Sequence, residues 1–162
     1  MVISIDDVMA QWQRERPDLD VTPQAVFGRL HRLADQTRDT LIRGYGAFGL
    51  GEGEFDVMAA LRRAPGELAP GEIARYTMVT TGAVSKRLDR LEEAGLIARR
   101  TSDVDGRARV VGLTEAGRRL IDEAFTAHIA NEHRLLKPLS REDQDQLVVL
   151  LEKWMAGLAG EG

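Results

Sequence analysis

The sequence contains no cysteine, which excludes several kinds of chemistry at once. Without thiols, the chain cannot form disulfides, carry out thiol redox chemistry or bind zinc through cysteine. It also has no apolar run long enough to cross a membrane, and its first ten residues carry Asp6 and Asp7 where a secretory signal would be basic. We therefore expect a cytoplasmic protein.

A strong excess of either charge is also absent. Of the 162 residues, 26 are acidic and 22 are basic, so the formal net charge is −4. Any nucleic-acid site must then be a local basic surface. The apolar share of 43% and the charged share of 30% are those of an ordinary globular protein, and the length suits one domain, or one domain with terminal extensions.

Periodic apolar residues and capping signals predict a mainly helical chain. Ser4 and Asp7 resemble a capping box at the start of a first helix, which Pro17 ends. Thr114 and Ser140 are the expected N-caps of two later helices. The predicted helices cover residues 4–16, about 22–46, 54–63, 70–76, 83–94, 114–137 and 140–159.

The middle of the chain has the most informative order. Two short helices are joined by the turn "TMVTTG", in which Thr80 or Thr81 is the expected N-cap of the second helix. Strand-like segments follow at 96–101 and 108–113, with Asp105–Gly106 as the turn between them. A helix-turn-helix followed by a β-hairpin is a winged helix. The predicted fold is therefore mainly α with a small β-hairpin wing, at about residues 54–113, between terminal helices.

The second helix of the pair has the features that reading DNA requires. Val84, Leu88 and Leu91 share one side and are expected to pack inward. The candidate DNA-binding residues on the other side or flanking it are Thr81, Ser85, Lys86, Arg87 and Arg90. We predict base contacts for Ser85 and Lys86, and phosphate contacts for Thr81 and Arg90. The competing interpretation is an ordinary solvated helix face, and the attached wing favours DNA.

The hairpin tip carries Asp105, Arg107 and Arg109. The planar guanidinium of Arg107 suits the narrow, electronegative minor groove, and Asp105 can orient it through a bidentate hydrogen bond. The alternative is a turn with a surface ion pair of little energetic weight. An aspartate and an arginine two residues apart are by themselves a weak signal. Here they come after a helix-turn-helix and are followed by "VVGLTEAG", and this context favours a DNA-binding wing.

The segments "GLIARR" and "DVDGRARVVGLTEAG", with the helix order around them, resemble the MarR family of bacterial regulators from about residue 23 to 158. The resemblance implies a ligand-responsive regulator, by default a repressor, that binds a double-stranded DNA operator as a homodimer. Residues 21–162 would form the MarR-type domain, with dimerisation helices at about 22–46 and 114–159, and residues 1–20 an added helix.

The last helix is consistent with a dimer. Its apolar stripe consists of Leu147, Leu151, Trp154, Met155 and Leu158. Such a stripe can also pack inside one chain. Helices at both chain ends with no second domain to cover them favour a partner chain.

The segments "QWQRERPDLD", "GEFDVMAALRR" and "GAVSKRLDRLEEAGLIARR" resemble the urate-responsive branch of the family. That resemblance implies a ligand pocket made by Trp12, Asp56, Arg87 and Arg99, with Arg100 as the alternative to Arg99. A flat anionic purine needs an aromatic wall, a cation and a hydrogen-bonding group, which these side chains supply.

Each pocket residue also has a structural interpretation. Trp12 can serve as a hydrophobic anchor for the added helix. Asp56 can be a structural ion-pair partner of Arg99 or Arg43, and Arg87 can contact phosphate only. A phenolic or other aromatic carboxylate is the alternative ligand.

An enzyme is the first competing class of function. The chain has none of the nucleophile-elbow, zinc-protease or P-loop motifs, and its histidines, His31, His128 and His133, do not form a metal-binding pattern. We expect no catalysis, no cofactor and no metal. The second competing class is a winged helix that binds proteins only. From Lys86 to Arg109 the chain has seven basic and five acidic residues, a modest excess that favours DNA.

Overall fold

The computed structural model describes residues 3–77, 80–102 and 109–160, which belong to two compact units, Met1–Arg43 and Gly44–Gly162. The described residues form seven α-helices and one antiparallel β-hairpin. The predicted fold class, mainly helical with a small hairpin, is confirmed.

The first unit contains α1 (Ile5–Glu15) and most of α2 (Gln24–Gly46). The predicted capping box at Ser4 is confirmed, because the Ser4 hydroxyl accepts from the backbone N–H of Asp7 at 3.0 Å and the Asp7 carboxylate accepts from that of Ser4 at 3.3 Å. Arg29 donates to Asp6 at 2.8 Å, which joins α2 to the first turn of α1.

The second unit contains α3 (Glu52–Arg63), α4 (Pro70–Thr77), α5 (Thr81–Glu93), β1 (Ile97–Thr101), β2 (Arg109–Leu113), α6 (Glu115–Leu136) and α7 (Arg141–Ala159). Among the described residues, the buried apolar side chains all lie between Tyr45 and Ala124. We call this part the winged-helix lobe. Its centre is α3, which contacts α4, α5, α6 and β2. Val57 and Met58 of α3 are fully buried.

Strands β1 and β2 pair in one register, from Ile97 opposite Leu113 to Thr101 opposite Arg109. Val111 also exchanges two backbone hydrogen bonds with Leu68, at 2.9 and 3.1 Å, so the segment before α4 lies along the hairpin. Since Val111 is fully buried, the base of the hairpin is part of the core.

Local capping chemistry sets the helix ends in the lobe. Thr80, one of the two predicted N-caps of α5, accepts from the backbone N–H of Ala83 at 3.4 Å. Gly95 follows α5 with a φ of 69°, the left-handed geometry in which helices commonly end. Thr114 caps α6, accepting from the N–H of Gly117 at 3.0 Å and donating to the carbonyl of Gly95 at 2.8 Å.

The last helix, α7, begins with a second capping box, made by Ser140 and Asp143. None of its side chains is buried. Of the helices that the structure describes, none is long and apolar enough to span a bilayer.

Candidate nucleic-acid interface and ligand site

Packing fixes the orientation of α5. Val84, Leu88 and Leu91 are at most 2% exposed and face α3 and α4, as the sequence predicted. The opposite face of the helix, with Ser85 and Lys86, is exposed to solvent. The core thus forces the polar side chains at the start of α5 outward, where a recognition helix presents them to a groove.

Other predicted DNA contacts lie at the edges of this face. Thr81 is the first residue of α5, and its side chain lies outside the described part of the structure. Arg109 begins β2 and is exposed. Asp105 and Arg107 fall outside the described residues, so the orientation of the predicted minor-groove arginine stays a prediction.

Two arginines of α5 turn towards the first turn of α3. Nη1 of Arg90 donates to Oε1 of Glu54 at 3.3 Å, although 76% of the Arg90 side chain stays exposed. Arg87 is half-buried, and its guanidinium lies against Gly53. Its Nη1 atom is buried without a hydrogen-bond partner in the described part of the chain.

Arg99 connects the hairpin to α5. Its Nη2 atom donates to Asp89 at 2.5 Å, and its Nε lies 3.5 Å from a Glu92 carboxylate oxygen. Between described residues, no ion pair joins Arg99 to Asp56. The alternative cation, Arg100, is bound to Glu67 at 2.6 Å. A ligand at Arg99 would therefore compete with its hydrogen bond to Asp89, whereas the buried Nε has no hydrogen-bond partner among the described residues; the ligand-binding role stays a prediction.

Asp56 is the polar exception on the apolar helix α3. It is half-buried, and burial raises the pKa of its carboxyl, with Glu52 adding to the increase. The neighbouring Arg87, Arg63 and His128 act in the opposite direction on this pKa. A carboxylate at this position is therefore sensitive to a change in the charges around it.

An aromatic cluster lies beside Asp56. The rings of Tyr45 and Phe55 stack at 4.2 Å, and the His128 ring lies 5.1 Å from that of Phe55. The Tyr45 hydroxyl and His128 Nδ1 are 3.3 Å apart, while His128 Nε2 is 3.2 Å from Glu132. Burial raises the pKa of Tyr45 to about 12, so its hydroxyl stays neutral.

Sequence reasoning missed this cluster. It considered His128 only in excluding a metal-binding pattern, and it gave no role to Tyr45 or Gly53. For Gly53, the sequence signal that could have drawn attention was the closely spaced glycines of "GLGEGEFD". The ring contacts have no such signal, since they join residues from three different helices.

Trp12, the predicted aromatic wall, lies on α1 in the first unit, and 51% of its surface is exposed. Its assignment to a ligand site stays a prediction from the resemblance. Among the described residues, no group of three or more histidines and carboxylates is arranged to hold a metal ion.

Comparisons with known proteins agree with this geometry. A MarR family model matches residues 48–108, which include α3, α4, α5 and β1. The transcriptional regulator PecS of Dickeya dadantii is 36% identical over 151 residues, 92% of this chain and 91% of its own length. A transcriptional repressor of Mycobacterium bovis is 33% identical over 124 residues, 76% of this chain and 88% of its own.

Solved structures share the fold. AbsC, a MarR family regulator from Streptomyces coelicolor, superposes with a TM-score of 0.78, covering 88% of this chain and 97% of its own, at 24% identity. A mutant of E. coli MarR in complex with operator DNA superposes with a TM-score of 0.70 at 25% identity, covering 83% of this chain and 98% of its own.

These likenesses decide between the classes of function that the sequence left open. The family consists of transcriptional regulators, so the expectation that the chain is not an enzyme is confirmed. A winged helix that binds only proteins is set aside by the same findings. The chain belongs to the MarR family of DNA-binding transcriptional regulators.

Proposed function

We propose that the chain acts as a homodimeric repressor of a pseudo-palindromic operator, and that a small aromatic anion such as urate releases it from DNA. It would act in the compartment that holds the DNA, the cytoplasm of a bacterial cell. The repressor assignment is supported by the mycobacterial relative, which is named a repressor.

The dimer is supported by the surface of α7. Leu150, Met155 and Leu158 are 63%, 68% and 60% exposed, although the helix belongs to a well-packed unit. Contiguous apolar surface of this kind is typical of an interface with another chain. A two-fold dimer would place its two recognition helices in major grooves about one helical turn, roughly 34 Å, apart.

The DNA contacts proposed here follow the exposed face of α5 and the hairpin. Ser85 and Lys86 would reach base edges, and Thr81, Arg90 and Arg109 the phosphates. Arg107, oriented by Asp105, would enter the minor groove. Arg90 must first leave Glu54, whose side chain is only 16% exposed, whereas that of Arg90 is 76% exposed.

The ligand site is proposed at Asp56 and Arg87, with Trp12 and Arg99 as further predicted contacts. One observation carries this proposal: a buried guanidinium N–H on the recognition helix has no acceptor among the described residues, and the charge of the same arginine acts on a half-buried carboxyl. An anionic ligand would accept from Arg87 and repel Asp56. It would release DNA only to the extent that it binds the DNA-free conformation better.

The DNA assignment is tested by fluorescence anisotropy with a labelled duplex from the promoter of the protein's own gene, or one selected from random sequences. We expect tight, salt-dependent binding, which Arg107→Ala weakens by about 1–3 kcal/mol without unfolding the protein. Arg141→Ala is the matched control, because Arg141 is an exposed arginine at the start of α7. Equal affinity of the Arg107→Ala variant and the wild type would remove the wing assignment.

The ligand assignment is tested by titrating the DNA complex with urate and, separately, with 2-hydroxybenzoate. Release by urate that is lost in Arg87→Ala supports the proposed site. Release by the phenolic carboxylate alone keeps the site and changes the ligand class. Release by urate that persists undiminished in Arg87→Ala would place the ligand elsewhere.

A further inference from the structure

We propose that the first turn of α3 (Glu52–Asp56) holds Arg87 of the recognition helix away from DNA, and that Gly53 is the positioning residue that makes this possible. The inference rests on the DNA-binding role of α5. It does not depend on urate or any other ligand.

The geometry at Gly53 is specific. A Cβ atom on this residue would lie 2.7 Å from Nη2 of Arg87 and closer still to its Nε and Cζ atoms. Any other side chain at position 53 would therefore occupy the place of the guanidinium group. The position of Arg87 against α3 requires glycine.

The backbone gives no other reason for a glycine at this point. Among the described glycines, positive φ angles occur at Gly49 and Gly95, and Gly53 lies inside α3 with ordinary helical geometry. Glycine in a helix costs up to about 1 kcal/mol relative to alanine. The contact with Arg87 accounts for a residue that local helix preference disfavours.

Charge favours the same position of Arg87. The first turn of α3 carries Glu52 and Glu54, and Asp56 lies close enough for the charge of Arg87 to oppose the increase that burial causes in its pKa. Arg90 is drawn to the same turn by its hydrogen bond with Glu54. Arg87 is half-buried, whereas Arg90 is mostly exposed.

Release of Arg87 would be visible in the salt dependence of DNA binding. Each new phosphate contact changes the slope of log K against log salt by about −0.9. In Gly53→Ala, the new methyl group displaces only the flexible end of the Arg87 side chain. The freed guanidinium, on a helix that faces DNA, can then reach a backbone phosphate.

The experiment is a double-mutant cycle on operator affinity across a salt series, on a duplex that the wild type binds. We expect Gly53→Ala to bind about three- to tenfold more tightly, with a slope steeper by about 0.9. Arg87→Ala tests whether the guanidinium is held away from DNA in the wild type: its slope should equal that of the wild type if Arg87 stays against α3, and should fall by about 0.9 if Arg87 contacts a phosphate. The double variant should match Arg87→Ala alone.

Gly71→Ala is the matched control, since Gly71 is also the second residue of its helix and a Cβ there would meet nothing within 4 Å. It should leave the slope unchanged. Both alanine variants should unfold at or above the wild-type temperature, which separates positioning from loss of structure.

Three results would overturn the inference. In the first, Gly53→Ala binds the operator no more tightly than the wild type. In the second, the double variant keeps the gain in affinity although Arg87 is absent. In the third, Arg87→Ala alone reduces the slope of log K against log salt by about 0.9. A wild type indifferent to urate would leave this cycle intact and refute only the proposed ligand. A wild type that binds no selected duplex would refute the role of α5 itself.

Discussion

The winged-helix lobe and the last helix place their apolar side chains in opposite ways. In the lobe, leucines of α5 such as Leu88 and Leu91 are 2% exposed. In α7, the exposed large apolar residues are Leu147, Val148, Val149, Leu150, Leu151, Met155 and Leu158, and no side chain is buried. The lobe carries its own core, whereas α7 presents apolar surface that its own unit does not cover.

The difference is not visible in the local sequence. Both helices have well-defined starts, at Thr80 and at Ser140, and both have apolar residues at helical spacing. Periodicity shows which side of a helix packs against apolar side chains, but not whether those side chains belong to the same chain or to another one. The structure adds that second piece of information for α5, whose apolar side packs inside the lobe, whereas apolar side chains of α7 lie at the surface of the described chain.

The largest expected effect tests whether the core of the winged-helix lobe is packed within one chain. Leu88→Ala should reduce the free energy of unfolding by about 2–5 kcal/mol, because it leaves a cavity among buried side chains. Leu158→Ala removes the same atoms from a residue that is 60% exposed. Chemical denaturation at one protein concentration compares the two variants. A larger loss for Leu158→Ala would show that α7 is the better-packed part in solution.

The next effect tests whether the apolar stripe of α7 binds a second copy. Leu151→Lys places a charge on the stripe, and it should weaken the dimer about 30-fold or more, since burying an unpaired charge costs several kcal/mol. Val149→Lys is the control, because residue 149 lies on the opposite side of the helix from Leu151. Analytical ultracentrifugation measures the dimer constant of each variant. Equal effects of the two lysines would remove the stripe as the interface.

The sequence was most informative where structure depends on local chemistry. The hydroxyls of Ser4, Thr114 and Ser140 cap the helices as predicted, because a cap involves residues only three apart. The inward face of α5 was predictable for the same reason, since helix geometry alone places Val84 and Leu88 on one side.

Contacts between distant segments were not predictable. The Arg90–Glu54 pair joins residues far apart in the chain, and the alternatives open to a long arginine side chain depend on how α3 and α5 pack. Arg99 shows the same limit. Its sequence resemblance implied a ligand contact, whereas its described partners are Asp89 and Glu92.

A smaller effect distinguishes these two roles of Arg99. If Arg99 mainly fastens β1 to α5, Arg99→Gln should lower the free energy of unfolding by about 1 kcal/mol, in the range of partly buried charged hydrogen bonds. Thermal unfolding and urate titration should be measured together. Unchanged stability with a lost urate response would assign Arg99 to the ligand site.

Arg100→Gln provides the control for Arg99. Arg100 is on the same strand, but its side chain is more exposed, 47% against 25%, and it pairs with Glu67 outside α5. Its replacement should therefore cost less stability and leave the urate response unchanged. An equal cost for both would mean that the two ion pairs fasten the hairpin alike.

The smallest expected effect concerns Asp56, where the apolar lobe contains a half-buried carboxyl. Burial raises its pKa above the ordinary value of 3.8, so ionisation is less favourable in the folded than in the unfolded chain. The stability that Asp56 contributes is complete at acidic pH and is lost as pH rises through the folded pKa. Asp56→Asn should thus be slightly more stable than the wild type at pH 7, with the difference closing towards pH 3.8.

For Asp122, in the same lobe, the pKa shift and the expected change in stability have the opposite sign. Its hydrogen bond from Arg62 lowers the pKa of Asp122, so ionisation stabilises the fold, and Asp122→Asn should be less stable than the wild type at neutral pH. Thermal unfolding of both variants between pH 4 and pH 8 shows whether the two curves diverge in opposite directions. If Asp56→Asn instead loses stability at neutral pH, the attraction of Arg87 outweighs burial, and Asp56 is an ion-pair partner that a ligand would have to displace.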